Sequence, residues 1–250
     1  MTDTTEHHSD VIQREFAPVV REAFGSDLES IIIYGSYLKE TFVPGVSDIN
    51  VLVLLKQVDA SKLAAFGKTA QRVVRRNRIA PLILSTEEFT TSADVFPMEY
   101  LDIVTTHKLV HGEDSTLELR LSREHLRHQV EHQLRGHLLS LRQLVVASSA
   151  RRTSRRALRK ELHRWCGSLS AILRGVLRLH AAETIPGSDR EIVSQLNKVT
   201  GLEPGPITEL VESRSGSAID SRQLILRLVD RLGELVRIVD RMDGGSEVGR

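Results

Sequence analysis

A single cysteine, Cys166, stands in a chain of 250 residues. That excludes an internal disulfide and any zinc site built from several thiolates, and makes a reducing compartment the expected setting. Aromatic residues make up only 4% of the chain, so Leu, Ile and Val must fill the core and helices should supply most of the packing. A surplus of one charge is missing too: 34 Lys and Arg face 33 Asp and Glu, for a formal charge of +1. A nucleic-acid or membrane partner therefore has to be argued from a local patch. No apolar run approaches the ~18 residues of a membrane span, and Met1 to Asp10 is polar, unlike a signal peptide. With 40% hydrophobic residues the chain is too apolar for a disordered tail and long enough for a sizeable core. A soluble, cytoplasmic protein of one large or two modest domains is expected.

What is present changes character along the chain. Val11, Phe16, Val19, Val20 and Phe24 follow a helical period that stops at Gly25. Ile31 to Ile33 and Val51 to Leu55 are apolar, β-branched runs separated by Pro44-Gly45, and they read as buried strands. Residues Ala60 to Arg76 return to helical spacing, and Ile79 to Leu84 form a third extended segment, giving the order α-β-β-α-β. Leu101 to Val110 fits either a fourth strand or a short helix. Beyond Gly112 the period is helical. Leu126, Val130, Leu134, Leu138, Leu141 and Val145 form one stripe, and Leu158, Leu162, Trp165, Leu169, Ile172, Leu173, Val176 and Leu177 form a second. Ser188 with Glu191 resembles a capping box opening a helix that ends at Gly201, and Ile225 to Met242 carry a last helix. Short joints between such helices predict a helical bundle.

The chemistry is concentrated between Ile31 and Leu55. A buried strand leads into Tyr34-Gly35-Ser36; eleven residues separate Ser36 from Asp48, and Ser47-Asp48-Ile49-Asn50 enters the next strand. Gly35 permits close approach of backbone to a ligand, and Ser36 offers a hydroxyl and an N–H, the makings of a phosphate cradle. Asp48 and Asn50, two apart on a strand, project from one face. Such a face suits a divalent metal bridging triphosphate oxygens.

This constellation resembles the DNA polymerase beta superfamily of nucleotidyltransferases, in particular its small members that join a minimal catalytic domain to a helical bundle. The resemblance implies an α+β fold, a small mixed sheet with flanking helices, followed by an all-α domain. The change of period beyond Gly112 places the nucleotidyltransferase-like domain at 11–114 and the bundle at 115–243, between disordered tails at 1–10 and 244–250. The resemblance also implies that Gly35 and Ser36 hold the phosphates of a nucleoside triphosphate and that Asp48 is a metal ligand. Two departures weaken the implied catalysis. Asn50 stands where the family has its second carboxylate, and the third strand, Arg78 to Leu84, contains no acid. Asp48 with the triphosphate would then hold a single magnesium ion. Asp102, after the third strand, is the candidate substitute acid if its segment is the adjacent strand. The expected protein is a nucleotidyltransferase-like pseudoenzyme with weak or absent catalysis and retained nucleotide binding. The alternative is an active magnesium-dependent enzyme moving a nucleoside monophosphate to a hydroxyl.

Other features have plainer readings. His125, His128 and His132 lie on a polar helix face with no cysteine or acid to complete a zinc site. Arg127, Glu131 and Arg135 are spaced for surface ion pairing. Between Arg151 and His180 there are nine Arg or Lys residues and one acid, Glu161, so RNA binding through Arg151 to Arg164 is a further alternative. Tyr and Phe are absent there, which removes the usual base-stacking platforms.

Overall fold

The computed structural model describes residues 11–38, 42, 47–150, 154–180, 185–214 and 216–242. Both expected tails, the Pro44-Gly45 break and Arg151-Arg152 lie outside them. The chain divides into two compact units, with the division between Leu121 and Ser122.

In the first unit a π-helical turn, Ile12–Phe16, runs into helix α1, Ala17–Phe24, which stops at Gly25 with φ 53°. Strand β1, Leu28–Tyr34, is followed by a 3-10 turn, Gly35–Leu38, and strand β2, Ile49–Leu55. Helix α2, Ala60–Asn77, opens on Asp59, whose side chain accepts from the Ser61 and Lys62 N–H groups. Strand β3, Ile79–Ser85, comes next, then helices α3, Thr86–Thr91, and α4, Pro97–Thr105, and strand β4, His107–Gly112. The Leu101 to Val110 segment is thus both things it fitted, a helix through Thr105 and a strand from His107.

The sheet order is β3-β2-β1-β4. β1 is antiparallel to both β2 and β4, whereas β2 and β3 are parallel and α2 makes the crossover that parallel pairing requires. Ile31, Ile33, Val51, Val53 and Leu55 pack with Phe16, Val20, Phe24, Phe66 and Ala70. Alternation sends Ile32, Leu52 and Leu54 to the other face, where they are also fully buried. Burial on both faces explains why the sequence shows unbroken apolar runs instead of alternation. β3 is an edge strand and tolerates Pro81, which has no N–H to give to a neighbour.

The second unit is helical, with no strand among its described residues. Its helices are α5, Arg123–Ser149; α6, Arg155–Leu179; α7, Asp189–Thr200; α8, Gly205–Ser213; and α9, Ser221–Asp240. The stripe on α5 is buried from Leu126 to Leu141, while Val145 is half-buried. On α6, Trp165 is only half-buried and stacks against His137, with ring centroids 5.0 Å apart. α7 opens on Ser188, which accepts from the Glu191 N–H, and closes on Gly201 with φ 69°. α8 is not among the expected helices, although Pro206 at its start and Ile207, Leu210 and Val211 at helical spacing mark it. No helix among the described residues is long and apolar enough to cross a membrane.

Candidate nucleotide site at the end of the sheet

Pairing across the sheet assembles the candidate site. Tyr34 stands opposite Asn50 on β2 and opposite His107 on β4, and Asn50 stands opposite Ala80 on β3. One row of residues therefore crosses the strand ends where the chain leaves β1 and enters β2. Gly35 follows Tyr34 with φ +82°, a conformation that L side chains rarely adopt, and a Cβ there would lie 3.2 Å from Asn50 Nδ2. The glycine and the Asn50 amide are in close apposition. The Gly35 N–H donates to the Thr106 carbonyl at 3.0 Å, so this amide anchors the turn to the start of β4. Ser36, half-buried in the 3-10 turn, follows it.

Asp48 immediately precedes β2 and stands two residues before Asn50. Its carboxylate is held by Arg78, with Nη2 2.8 Å from Oδ1; the Arg78 and Asp48 side chains are 46% and 55% exposed respectively. The backbone fixes this partnership. Arg78 caps α2 in the left-handed conformation, with φ 52° and its N–H on the Val74 carbonyl, and its own carbonyl accepts the Ile49 N–H at 2.8 Å. Helix end and strand start are thereby locked side by side.

Asp102 is on helix α4, not on a strand beside β3 as its candidacy assumed; β4 is the strand that follows, and it pairs with β1. The Asp102 carboxylate nonetheless acts on the same end of the sheet. Burial, and after it the Asp102 charge, push the Tyr34 phenol above its ordinary pKa. Behind the row, His107 Nδ1 meets the Val104 carbonyl at 3.1 Å. Its Nε2 lies 2.9 Å from Asp114 Oδ2 and 3.0 Å from Thr116 Oγ1. Burial alone would raise the Asp114 carboxyl, but bonds from Thr116 and His107 outweigh it and hold the carboxyl below its ordinary value. This cluster braces the first residue of β4, next to the carbonyl that receives the Gly35 N–H. Sequence reasoning missed Arg78, Tyr34 and the His107 cluster. Their roles arise from strand register, which no local pattern announces.

The residues do not fit a metal held by the protein. Magnesium needs near-octahedral oxygen ligation, usually with one or two carboxylates. Here the set is one carboxylate already bound to a guanidinium, an amide at Asn50 and an acid-free β3. Among the described residues no group of three or more His, Cys, Asp or Glu is placed to hold an ion, and this includes the His125, His128 and His132 face.

The four-stranded mixed sheet with flanking helices, followed by a helical unit, is a fold shared with a solved structure. The chain is similar to the spectinomycin adenyltransferase AAD(9) from Enterococcus faecialis, solved with ATP and spectinomycin. The TM-score is 0.56 at 13% identity, covering 87% of this chain and 96% of that one. A Shewanella oneidensis complex of a tri-AMPylated HEPN toxin with its MNT antitoxin aligns over 44% of this chain at a TM-score of 0.29, too low to carry an argument. No protein-family model and no curated protein matches the sequence.

Proposed function

We propose that this chain is a nucleotidyltransferase-like protein that binds a nucleoside triphosphate at the Gly35–Ser36 end of its sheet and transfers nucleotide slowly or not at all. The observation that supports the reading is the apposition of Gly35, at φ +82°, with Asn50 on the neighbouring strand, two residues after Asp48. The similar adenyltransferase was solved with ATP, which makes ATP the first nucleotide to test. The weak-transfer part rests on chemistry. Family catalysis uses carboxylate-held metal ions to stabilise charge at the transferring phosphoryl group. Losing such a group commonly costs a few kcal/mol, or a few powers of ten in rate. Asp48 is the carboxylate available to a magnesium ion brought by the triphosphate, and Arg78, on its Oδ1, competes for it.

An RNA partner has no comparable support. Arg159 donates to the Ser213 carbonyl, Arg164 pairs with Glu161 and Arg174 with Asp189, so part of the basic helix is engaged within its own unit.

Calorimetric titration of ATP, with pyrophosphate release followed in parallel, tests the proposal. The expected result is saturable binding with release near background. Asn50→Asp restores paired carboxylates on one strand face and should strengthen magnesium-dependent binding without restoring turnover. Robust pyrophosphate release that vanishes in Asp48→Ala would instead establish the active transferase, with Asp102 the acid to examine next.

A further inference from the structure

The geometry points to Arg78 as the cation of this site: its guanidinium, now on Asp48, takes the triphosphate's phosphates, so nucleotide binding here does not depend on a metal. The inference rests on the nucleotide-binding reading above and goes beyond it by naming the charge that replaces the metal.

Three observations converge. First, the carboxylate that the fold would use for a metal is occupied by a positive charge from the chain itself, at 2.8 Å. Second, the cation is placed by the backbone. The Arg78 carbonyl accepts from Ile49, the residue between Asp48 and Asn50, so the root of the guanidinium stem is fixed beside that strand. Third, Arg78 is the one non-glycine residue with positive φ among the described residues. A helix C-terminus in this conformation is usually closed by Gly or Asn, since other residues meet a steric penalty at Cβ. Arginine is a poor choice for the backbone there, and it is the side chain that has a use.

Magnitudes decide whether the pair can open. An ion pair with both members about half exposed is weak. Charge-assisted bonds from a guanidinium to phosphate are stronger, and bidentate geometry favours them. A triphosphate therefore displaces Asp48 from Arg78. The displaced carboxylate then faces phosphate oxygens and opposes binding. Asp48 is consequently a gate on Arg78 and not the centre of a metal site, and removing its charge helps the ligand.

The test is titration of ATP into the full chain in EDTA and again in magnesium, for the wild type, Arg78→Gly, Arg78→Lys and Asp48→Asn. The wild type should bind in EDTA within a few-fold of its affinity in magnesium. Arg78→Gly, which relieves the positive φ and should melt no lower than the wild type, should lose about 10- to 100-fold in EDTA. Arg78→Lys should recover part of that loss, and Asp48→Asn should bind more tightly than the wild type. Two results overturn the inference while leaving the nucleotide reading intact: binding that appears only with magnesium and falls in Asp48→Asn, or binding unchanged in Arg78→Gly. Absence of ATP binding under both conditions overturns both.

Discussion

Two arginine–carboxylate pairs, one in each unit, are set in different surroundings. In the sheet unit the exceptions gather at the strand termini: Gly35 and Gly112 have φ above +80°, Arg78 is left-handed, and the Asp48–Arg78 pair is half exposed. In the helical unit Arg127 and Arg135 clamp Glu131 from one turn either side, the carboxylate 16% exposed and Arg135 also reaching Asp240. Both regions hold arginine on carboxylate. In one the partners are committed along a regular helix, whereas in the other they are loosely joined where the backbone is least regular. Sparsely populated conformations cost free energy and persist where the surroundings impose them. Gly35 and Arg78 lie at the same end of the sheet, the end at which nucleotide binding is proposed.

The largest effect should come from the same substitution made in both regions. At Gly112 an added Cβ would sit 1.7 Å from the Glu29 carbonyl oxygen, at φ +81°. Gly112→Ala cannot be accommodated without moving β4 off β1, and should cost more than ~3 kcal/mol in urea unfolding. Gly136, exposed in the middle of α5, has nothing within 4 Å of the place a methyl group would occupy. Gly136→Ala should therefore stabilise by ~0.5–1 kcal/mol. Equal signs for the two variants would erase the contrast between the regions.

This contrast also explains what was legible in the sequence. The strands were visible because Ile31 to Ile33 and Val51 to Leu55 are buried on both faces, and the stripes on α5 and α6 because each helix buries one face. Gly35, Ser36, Asp48 and Asn50 could be picked out because glycine and polar residues interrupt apolar runs at a fixed spacing. Arg78 could not. Its importance depends on α2 ending in the left-handed conformation and on Ile79 pairing with Ile49, and the preceding Arg75-Arg76-Asn77 disguises it as one more basic residue at a helix end. Leu101 to Val110 stayed ambiguous because a short apolar run serves a helix and a strand equally, and the break at Thr106 has no glycine or proline to announce it.

Smaller but still decisive is the comparison of the two arginine pairs. Glu131→Ala leaves Arg127, only 17% exposed, without its carboxylate, and should cost ~1–3 kcal/mol. Asp48→Asn should cost ~0–1 kcal/mol. An Asp48→Asn penalty as large as that of Glu131→Ala would make the sheet-end pair structural and remove its freedom to open. Acid sharpens the same point. Burial pushes the Glu131 carboxyl up, but Arg135 and Arg127 outweigh this and hold it below the ordinary glutamate value. Its contribution is therefore complete above ~4.3 and is lost as pH falls below that. Stability of the wild type should fall more steeply than that of Glu131→Gln between about pH 5 and pH 3.

The smallest effect concerns the residue that links the sheet end to α4. Burial raises the Tyr34 phenol most, and the Asp102 carboxylate adds to the rise. An anion nearby disfavours a second anion, so Asp102→Asn should lower the Tyr34 pKa while leaving it above the ordinary tyrosine value, because burial remains. Absorbance at the tyrosinate band during alkaline titration reads this directly, and Tyr34→Phe identifies which of the three tyrosines moves. The measurement bears on more than one side chain. Asp102 is the candidate acid if the protein does turn over, and this titration reads whether its charge reaches Tyr34, the residue opposite Asn50. An unchanged Tyr34 titration in Asp102→Asn would put that carboxylate too far away. The sheet end would then have Asp48 alone, which is the arrangement in which the Arg78 cation is most needed.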